Sequence, residues 1–271
     1  MTELINRFHF IDPSFNPSIT DEKECIATFD SFSTTIALKK ENKVIALEIF
    51  DHKTKNIASF IEEDFRLFDL FSDNYQRTTL CFSSQKETLI PTTVFDRSYI
   101  EDYIKFNFQS IDNEVVLYDD IKELGIIHVY TINRALLNTL NKIMPNAVIK
   151  NQKSVLIEKF YQHNGKMCNM YVNTKQGSFD GVAFNEKGLL FANTFYYNSA
   201  NDYIYYLMNI IKQLKLNPET LNLFLSGEIG KEDAIYNLIY KYIRNISFIQ
   251  KPDEIELPLE ITPYHYYLTI F

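Results

Sequence analysis

The stretch LNLFLSGEIG, residues 221–230, runs an apolar strand into a turn of glycine, acid and glycine. Glycine lets a backbone approach a phosphate closely and adopt positive φ, so this stretch can edge a nucleotide pocket. It can equally be a strand end, with Gly227 letting the chain turn into the helix that follows. The other reactive residue types are dispersed. His9, His52, His128, His163 and His265 lie far apart; His128 reads as a core or sheet-face imidazole and His163, in QHNGK, as a turn residue. Cys25, Cys81 and Cys168 each stand alone in apolar, strand-like runs without metal-ligand spacing, which predicts buried free thiols. FIEEDF gathers three carboxylates, but Glu62, Glu63 and Asp64 point in different directions on a helix, as a solvated face does. No His-Glu-x-x-His, Cys-x-x-Cys, Gly-x-Ser-x-Gly or Walker-type lysine loop is present. The chain has seven glycines and the first is Gly125, so everything before it lacks the usual means of wrapping a phosphate.

Composition narrows the classes further. The 271 residues are 46% hydrophobic and 15% aromatic, enough for a large core, and carry a formal net charge of -8. An acidic chain without a basic cluster is a poor ligand for nucleic acid or anionic membrane. Lys150, Lys153 and Lys159 are scattered and read as solvated faces. The opening MTELINRFHFIDPSFNPS has no continuous apolar core, so no signal peptide is expected, and no uncharged run reaches membrane-spanning length. The expected location is cytoplasmic, and a place beside a membrane complex would require a protein partner.

These residues must be positioned by a repeated set of elements. CIATF, TTIAL and VIALEIF read as strands, with KENK as the turn between the last two. Ile57, Phe60, Ile61, Phe65, Phe68 and Phe71 then form a helical stripe, and RTTLCFSS is a strand. Residues 167–230 repeat the order: CNMYV, a hairpin of GSFDGVAF and LLFANTFYY around NEKG, the helix NDYIYYLMNIIKQLKL capped by Asn201 or Asp202, and LNLFLSG. Helix and closing strand recur at an offset of about 143 residues with almost no identity. Between the copies lie a helix in SYIEDYIKFNF, a hairpin of EVVLYDDI and IIHVYTI, a helix from Asn133 to Pro145, the strand AVIK, and KSVLIEKFYQ as helix or strand. A helix in KEDAIYNLIYKYIRN, the strand ISFIQ and an irregular tail with a final strand follow. Within DYIYYL, Tyr203, Tyr205 and Tyr206 read mostly as core, with exposed members available to a protein partner.

This order resembles the actin-like ATPase fold shared by actin, Hsp70 chaperones and sugar kinases, and the chain resembles an uncharacterised bacterial family with that fold. It is loosely similar to the actin-like assembly proteins of type IV pili and type II secretion, where a segment like TLIPTTVFDRSYIEDYIKF follows. The resemblance implies an α/β, two-domain actin-like ATPase (ribonuclease H-like, duplicated) fold. Each domain is then based on β-β-β-α-β, with residues 1–150 as the N-terminal domain and 151–271 as the C-terminal domain. It further implies ATP between the domains, two hairpins holding phosphates, each opening with an acid followed by glycine, and a glycine-rich strand end at the adenosine. The acids position magnesium and its waters.

On that pattern Asp30 in FDSFSTT stands for the first acid, but no glycine follows and Phe32 is bulky. Asn173 in VNTKQGS stands where the second acid belongs, and Lys175 and Gly177 keep phosphate-binding character. Gly227 survives at the adenosine-type strand end, with Glu228 where a second glycine is typical. Each residue also has a plain structural reading: Asp30 as a turn-former, Asn173 as part of an ordinary hairpin, Gly227 as a bend. The reading drawn is an actin-like protein with a degenerate nucleotide cleft, non-catalytic, without a bound cofactor, acting as an interaction or scaffold protein for an unknown protein partner. The alternative is an ATP-binding protein or phosphotransferase with an altered phosphate site, in which Asp30 holds Mg through water. A third is an unrelated α/β protein with its own small-molecule site.

Overall fold

A computed structural model describes residues 4–16, 22–30, 33–52, 61, 75–164 and 168–270. The chain divides into two compact units. The first runs to Val155 and takes in Glu254–Ile261 and Ile270; the second is Leu156–Asp253 with Thr262–Thr269.

In the first unit, six strands form one sheet: β1 (Leu4–Ile11), β2 (Glu24–Phe29), β3 (Ser33–Lys40), β4 (Lys43–His52), β5 (Arg77–Phe82) and β9 (Val148–Asn151), in the order β1-β4-β3-β2-β5-β9. Strands β1 to β4 pair antiparallel, while β2–β5 and β5–β9 are parallel. The helix expected over Ile57–Phe71 lies outside the described residues apart from Ile61, which is helical and fully buried. A second, antiparallel sheet of β6 (Glu87–Pro91), β7 (Glu114–Ile121) and β8 (Ile126–Asn133) is inserted between β5 and β9, in the order β6-β8-β7. Helix α1 (Ile100–Asn107) packs its Ile104 against Ile90, Ile127 and Val129 of this sheet. Helix α2 (Arg134–Ile143) starts at Asn133, whose side chain accepts from the Leu136 N–H, and lays Leu136 and Leu140 on the main core with Cys25, Phe29 and Leu80. β1 and β6 are additions to the expected elements.

Helix α3 (Gln152–Asn164) follows β9 directly and carries the chain into the second unit. His163 lies in this helix, not in a turn. There β10 (Asn169–Lys175), β11 (Ser178–Asn185), β12 (Gly188–Tyr196), β13 (Asn222–Gly227) and β14 (Asn245–Phe248) form a sheet in the order β12-β11-β10-β13-β14. Helix α4 (Ala200–Gln213) buries Tyr203, Leu207, Ile210 and Ile211 against Met170, Val172, Leu223 and Leu225, and α5 (Ala234–Tyr242) adds Ile239. The α4 cap is Ser199, not Asn201 or Asp202: its side chain accepts from the Asp202 N–H, while the Asp202 carboxylate accepts from Asn198 N–H, a reciprocal capping arrangement. The tail ends in a 3-10 segment, Tyr264–Ile270, in place of the expected final strand.

The two main sheets share one register. Glu24 pairs with Arg77 and Asn169 with Asn222, 53 positions apart in each copy. The hairpin pair Phe29↔Thr34 matches Thr174↔Phe179, 145 positions on. The third strand obeys the same offset, including its bulge: the register shift between Leu38 and Lys39 recurs between Ala183 and Phe184. The offset is therefore 145, not about 143. A two-residue slip keeps every side chain on its face, so the apolar pattern reads the same at both values.

Candidate functional site

The stacked rings of Phe29 and Phe82, centroids 4.7 Å apart, tie together the last residues of β2 and β5 in the first unit. Beyond them, polar residues gather at the ends of three parallel strands. Asp30 follows β2, Ser83 follows β5, and Gln152 follows β9. Gln152 Nε2 donates to Asp30 Oδ2 (3.2 Å), and the Ser83 hydroxyl lies 2.9 Å from Gln152 Oε1 and 3.3 Å from Asp30 Oδ1. The Asp30 N–H also closes its own hairpin on Ser33 O (2.9 Å). Asp30 is thus both a turn residue and the carboxylate of a polar cluster.

Gln152 belongs to a run of four consecutive polar residues, Asn151, Gln152, Lys153 and Ser154, each at most 5% exposed. They are buried because β9 passes into α3 without a loop, and each finds a polar partner, Glu87 serving both Asn151 and Lys153. The Asn151 N–H donates to Asp119 Oδ2 (2.8 Å), its amide donates to Glu87 (3.0 Å), and its Oδ1 accepts from the Lys153 N–H (2.8 Å), as an N-cap does. The Lys153 ammonium is ion-paired with Glu87 Oε1. Ser154 Oγ lies 2.8 Å from His128 Nδ1, whose Nε2 is 3.2 Å from Glu87 Oε2. Burial pushes the Glu87 carboxyl up, but the His128 ring and the Lys153 ammonium beside it outweigh burial and bring it down to about 2. Lys153 is accordingly no solvated lysine. Ser154, His128 and Glu87 have the composition of an acyl-transfer triad, yet Ser154 and His128 are wholly buried, so no substrate carbonyl reaches the hydroxyl. The cluster fills the N-terminal end of α3 with the protein's own carboxylates.

In the second unit, the shared register matches Lys175, not Asn173, to Asp30; Asn173 matches Thr28. Asn173 is 5% exposed and its Oδ1 accepts from Ser226 Oγ (3.1 Å). Lys175 Nζ is 3.0 Å from Oδ2 of the buried Asp180, whose Oδ1 accepts from Thr194 Oγ1 (2.5 Å). Gly177 turns the hairpin at φ 75°. Gly227, at φ 78°, is required by the fold itself: a Cβ there would stand 2.1 Å from Thr174 O. Glu228 follows with an exposed side chain and its N–H donating to Thr174 O (2.8 Å). Its carboxylate and that of Asp233 lie near Tyr197, whose hydroxyl donates to Lys175 O (2.8 Å); burial first, then these two charges, push that hydroxyl up. Lys175, Gly177, Gly227 and Glu228 thus gather at one end of this sheet, with Asn173 turned into it.

Sequence reasoning missed Ser83, Gln152 and the Glu87–His128–Lys153 cluster. The available signal was NQKS at a strand-to-helix junction. Cys25 and Cys81 are buried as expected, and burial pushes the Cys25 thiol up; Cys168 is exposed. Among the described residues no group of three His, Cys, Asp or Glu is arranged to hold a metal ion, and no helix is long and apolar enough to cross a membrane.

With this geometry in hand, known structures define the class. A protein from Bacteroides thetaiotaomicron VPI-5482, described as having an actin-like ATPase fold and unknown function, is similar at TM-score 0.76 and 22% identity, over 86% of this chain and 93% of that one. A PilM-PilN type IV pilus biogenesis complex is similar at TM-score 0.55 and 9% identity, over 84% of this chain and 88% of that one. The protein has the actin-like ATPase fold. It belongs to the family described as "Protein of unknown function (DUF3822)", which matches residues 23–246. Among curated proteins none matches.

Proposed function

We propose that this chain is an actin-like protein that has lost ATPase chemistry and works in the cytoplasm by binding another protein. The observation that carries this reading is the register match of Asp30 with Lys175. In an actin-like site both hairpins supply an acid for hydrated magnesium; here the second supplies an ammonium already held by Asp180. Asn173, the other candidate for that role, is buried against Ser226. Gly227 is accounted for by its own backbone contact. One neighbour of like fold is a PilM-PilN type IV pilus biogenesis complex, and a protein partner for this chain is inferred by that likeness.

A second reading has one observation in its favour. Asp30, Ser83 and Gln152 converge at the ends of three parallel strands, where open α/β sheets bind ligands. On this reading the chain binds Mg-ATP through Asp30, with Lys175 and Gly177 on phosphate.

A thermal-shift titration with Mg-ATP and Mg-ADP separates the two. Nucleotide at a hundred times its Kd stabilises a binder by about 2.7 kcal/mol. No shift at millimolar nucleotide is the expected result. A shift that vanishes in both Asp30→Ala and Lys175→Ala, each variant still melting cooperatively, overturns the proposal in favour of the second reading.

A further inference from the structure

The shared register gives β12 a counterpart, and the two strands differ in one respect. Its equivalent, β4, is covered on its outer edge by β1, which pairs antiparallel from Leu4↔His52 to Ile11↔Ala46, and Val44–Ile49 are buried throughout. Among the described residues no strand lies on the outer edge of β12. Leu190 is 41% and Tyr196 59% exposed. The Thr194 N–H donates to the neighbouring Asn193 Oδ1 (2.9 Å) where a strand would otherwise accept it.

Open edges are ordinarily protected by charge, proline or shortness. β1, at one edge of the other sheet, has exposed Arg7 and a register shift beside it; β14 has four residues. β12 has nine, GLLFANTFY, without a charge or a proline. Its bulge at Leu190 is no obstacle, since the same bulge recurs at Ile45 and β1 pairs alongside from Ala46 onward. Among the described residues the matching stretch, residues 191–197, is therefore open.

We propose that this edge pairs with the same edge of a second copy of the chain, antiparallel about a two-fold axis at Thr194, joining the two five-stranded sheets into one. The sequence is complementary to itself in that arrangement. Phe191 falls opposite Tyr197, Ala192 opposite Tyr196 and Asn193 opposite Phe195, so no like charges face each other. Antiparallel is also the sense in which β1 fills the equivalent edge. The inference is independent of whether nucleotide binds.

Sedimentation equilibrium of the full chain tests it. The wild type is expected to reach twice the 31.9 kDa chain mass at tens of micromolar. Asn193→Lys combined with Tyr196→Lys sets lysines across the axis and is expected to give monomer with a cooperative melt; Tyr240→Lys, on the exposed face of α5, is expected to stay dimeric. A monomeric wild type overturns the proposal, and so does a folded double-lysine variant that remains dimeric. Should that variant not fold, amide exchange in the wild type decides. Exchange across residues 191–197 slows as concentration rises if the edge is the interface, and exchange independent of concentration overturns it.

Discussion

Gly227 is where the demand on a single residue is greatest. Its positive φ and the Thr174 carbonyl in the path of any Cβ leave no room for another residue. Gly227→Ala is expected to cost at least about 2 kcal/mol in chemical denaturation, strain and clash acting together; a loss under half of that would mean the turn relaxes easily. The Glu87–Lys153 pair makes a different demand. Lys153→Met leaves a buried carboxylate without its ammonium and is expected to cost about 3–5 kcal/mol. Combined with Glu87→Gln, the loss should fall short of the sum of the single losses by about 0.5–3 kcal/mol. Acid probes the same group. The Glu87 carboxyl titrates at about 2 in the folded chain against an ordinary 4.5, so the stability it contributes is present above pH 4.5 and lost as pH falls toward 2. Glu87→Gln is expected to flatten that acid limb in denaturation curves taken from pH 5 downward.

Elements were legible where alternation or helical period was unbroken, as in β2 to β5 and β10 to β13. They were harder where polar residues interrupt. NRFHF within β1 carries no expected element until β4 is there to pair with it, and Lys153 of NQKS reads as a solvated face until Asp119, Glu87, Asp30 and His128 are seen around that run. Partners so distant in sequence leave no local trace. The α4 cap was misplaced by two or three residues because Ser, Asn and Asp all occur in NSAND, and only geometry shows which oxygen meets an N–H. Ser199→Ala is expected to cost about 1 kcal/mol, read by urea denaturation. An unchanged midpoint would show that Asp202 alone holds the helix start.

At the scale of the molecule, the Asp30, Asn173, Lys175 and Gly227 positions were found by resemblance, but their pairing required the register, which a period-two pattern leaves ambiguous by two residues. The tail was the least legible part. It reads as irregular, yet Ile261, Tyr264, His265, Leu268 and Ile270 are all buried, and its residues are shared between both units. His265 Nε2 donates to the Ile229 carbonyl (2.9 Å), and its ring stacks on Phe248. Large buried apolar side chains are worth about 2–5 kcal/mol each when truncated, and a whole domain's stability is about 5–15 kcal/mol. A chain ending at Asp253 is therefore expected to lose its cooperative melt; a sharp transition near the wild-type midpoint in calorimetry would contradict this.

The common offset of 145 residues also bears on how the chain avoids misassembly. A strand from one copy set into the other copy's sheet would find its hydrogen-bond partners, its bulge and its hairpin turn all in the right places. Backbone geometry alone cannot reject that exchange. Rejection falls to side-chain volume: Ile36 occupies the position of Gly181, and Phe82 that of Gly227. Divergence between the copies is then a safeguard during folding, because each sheet accepts only the strand whose bulk fits its own core.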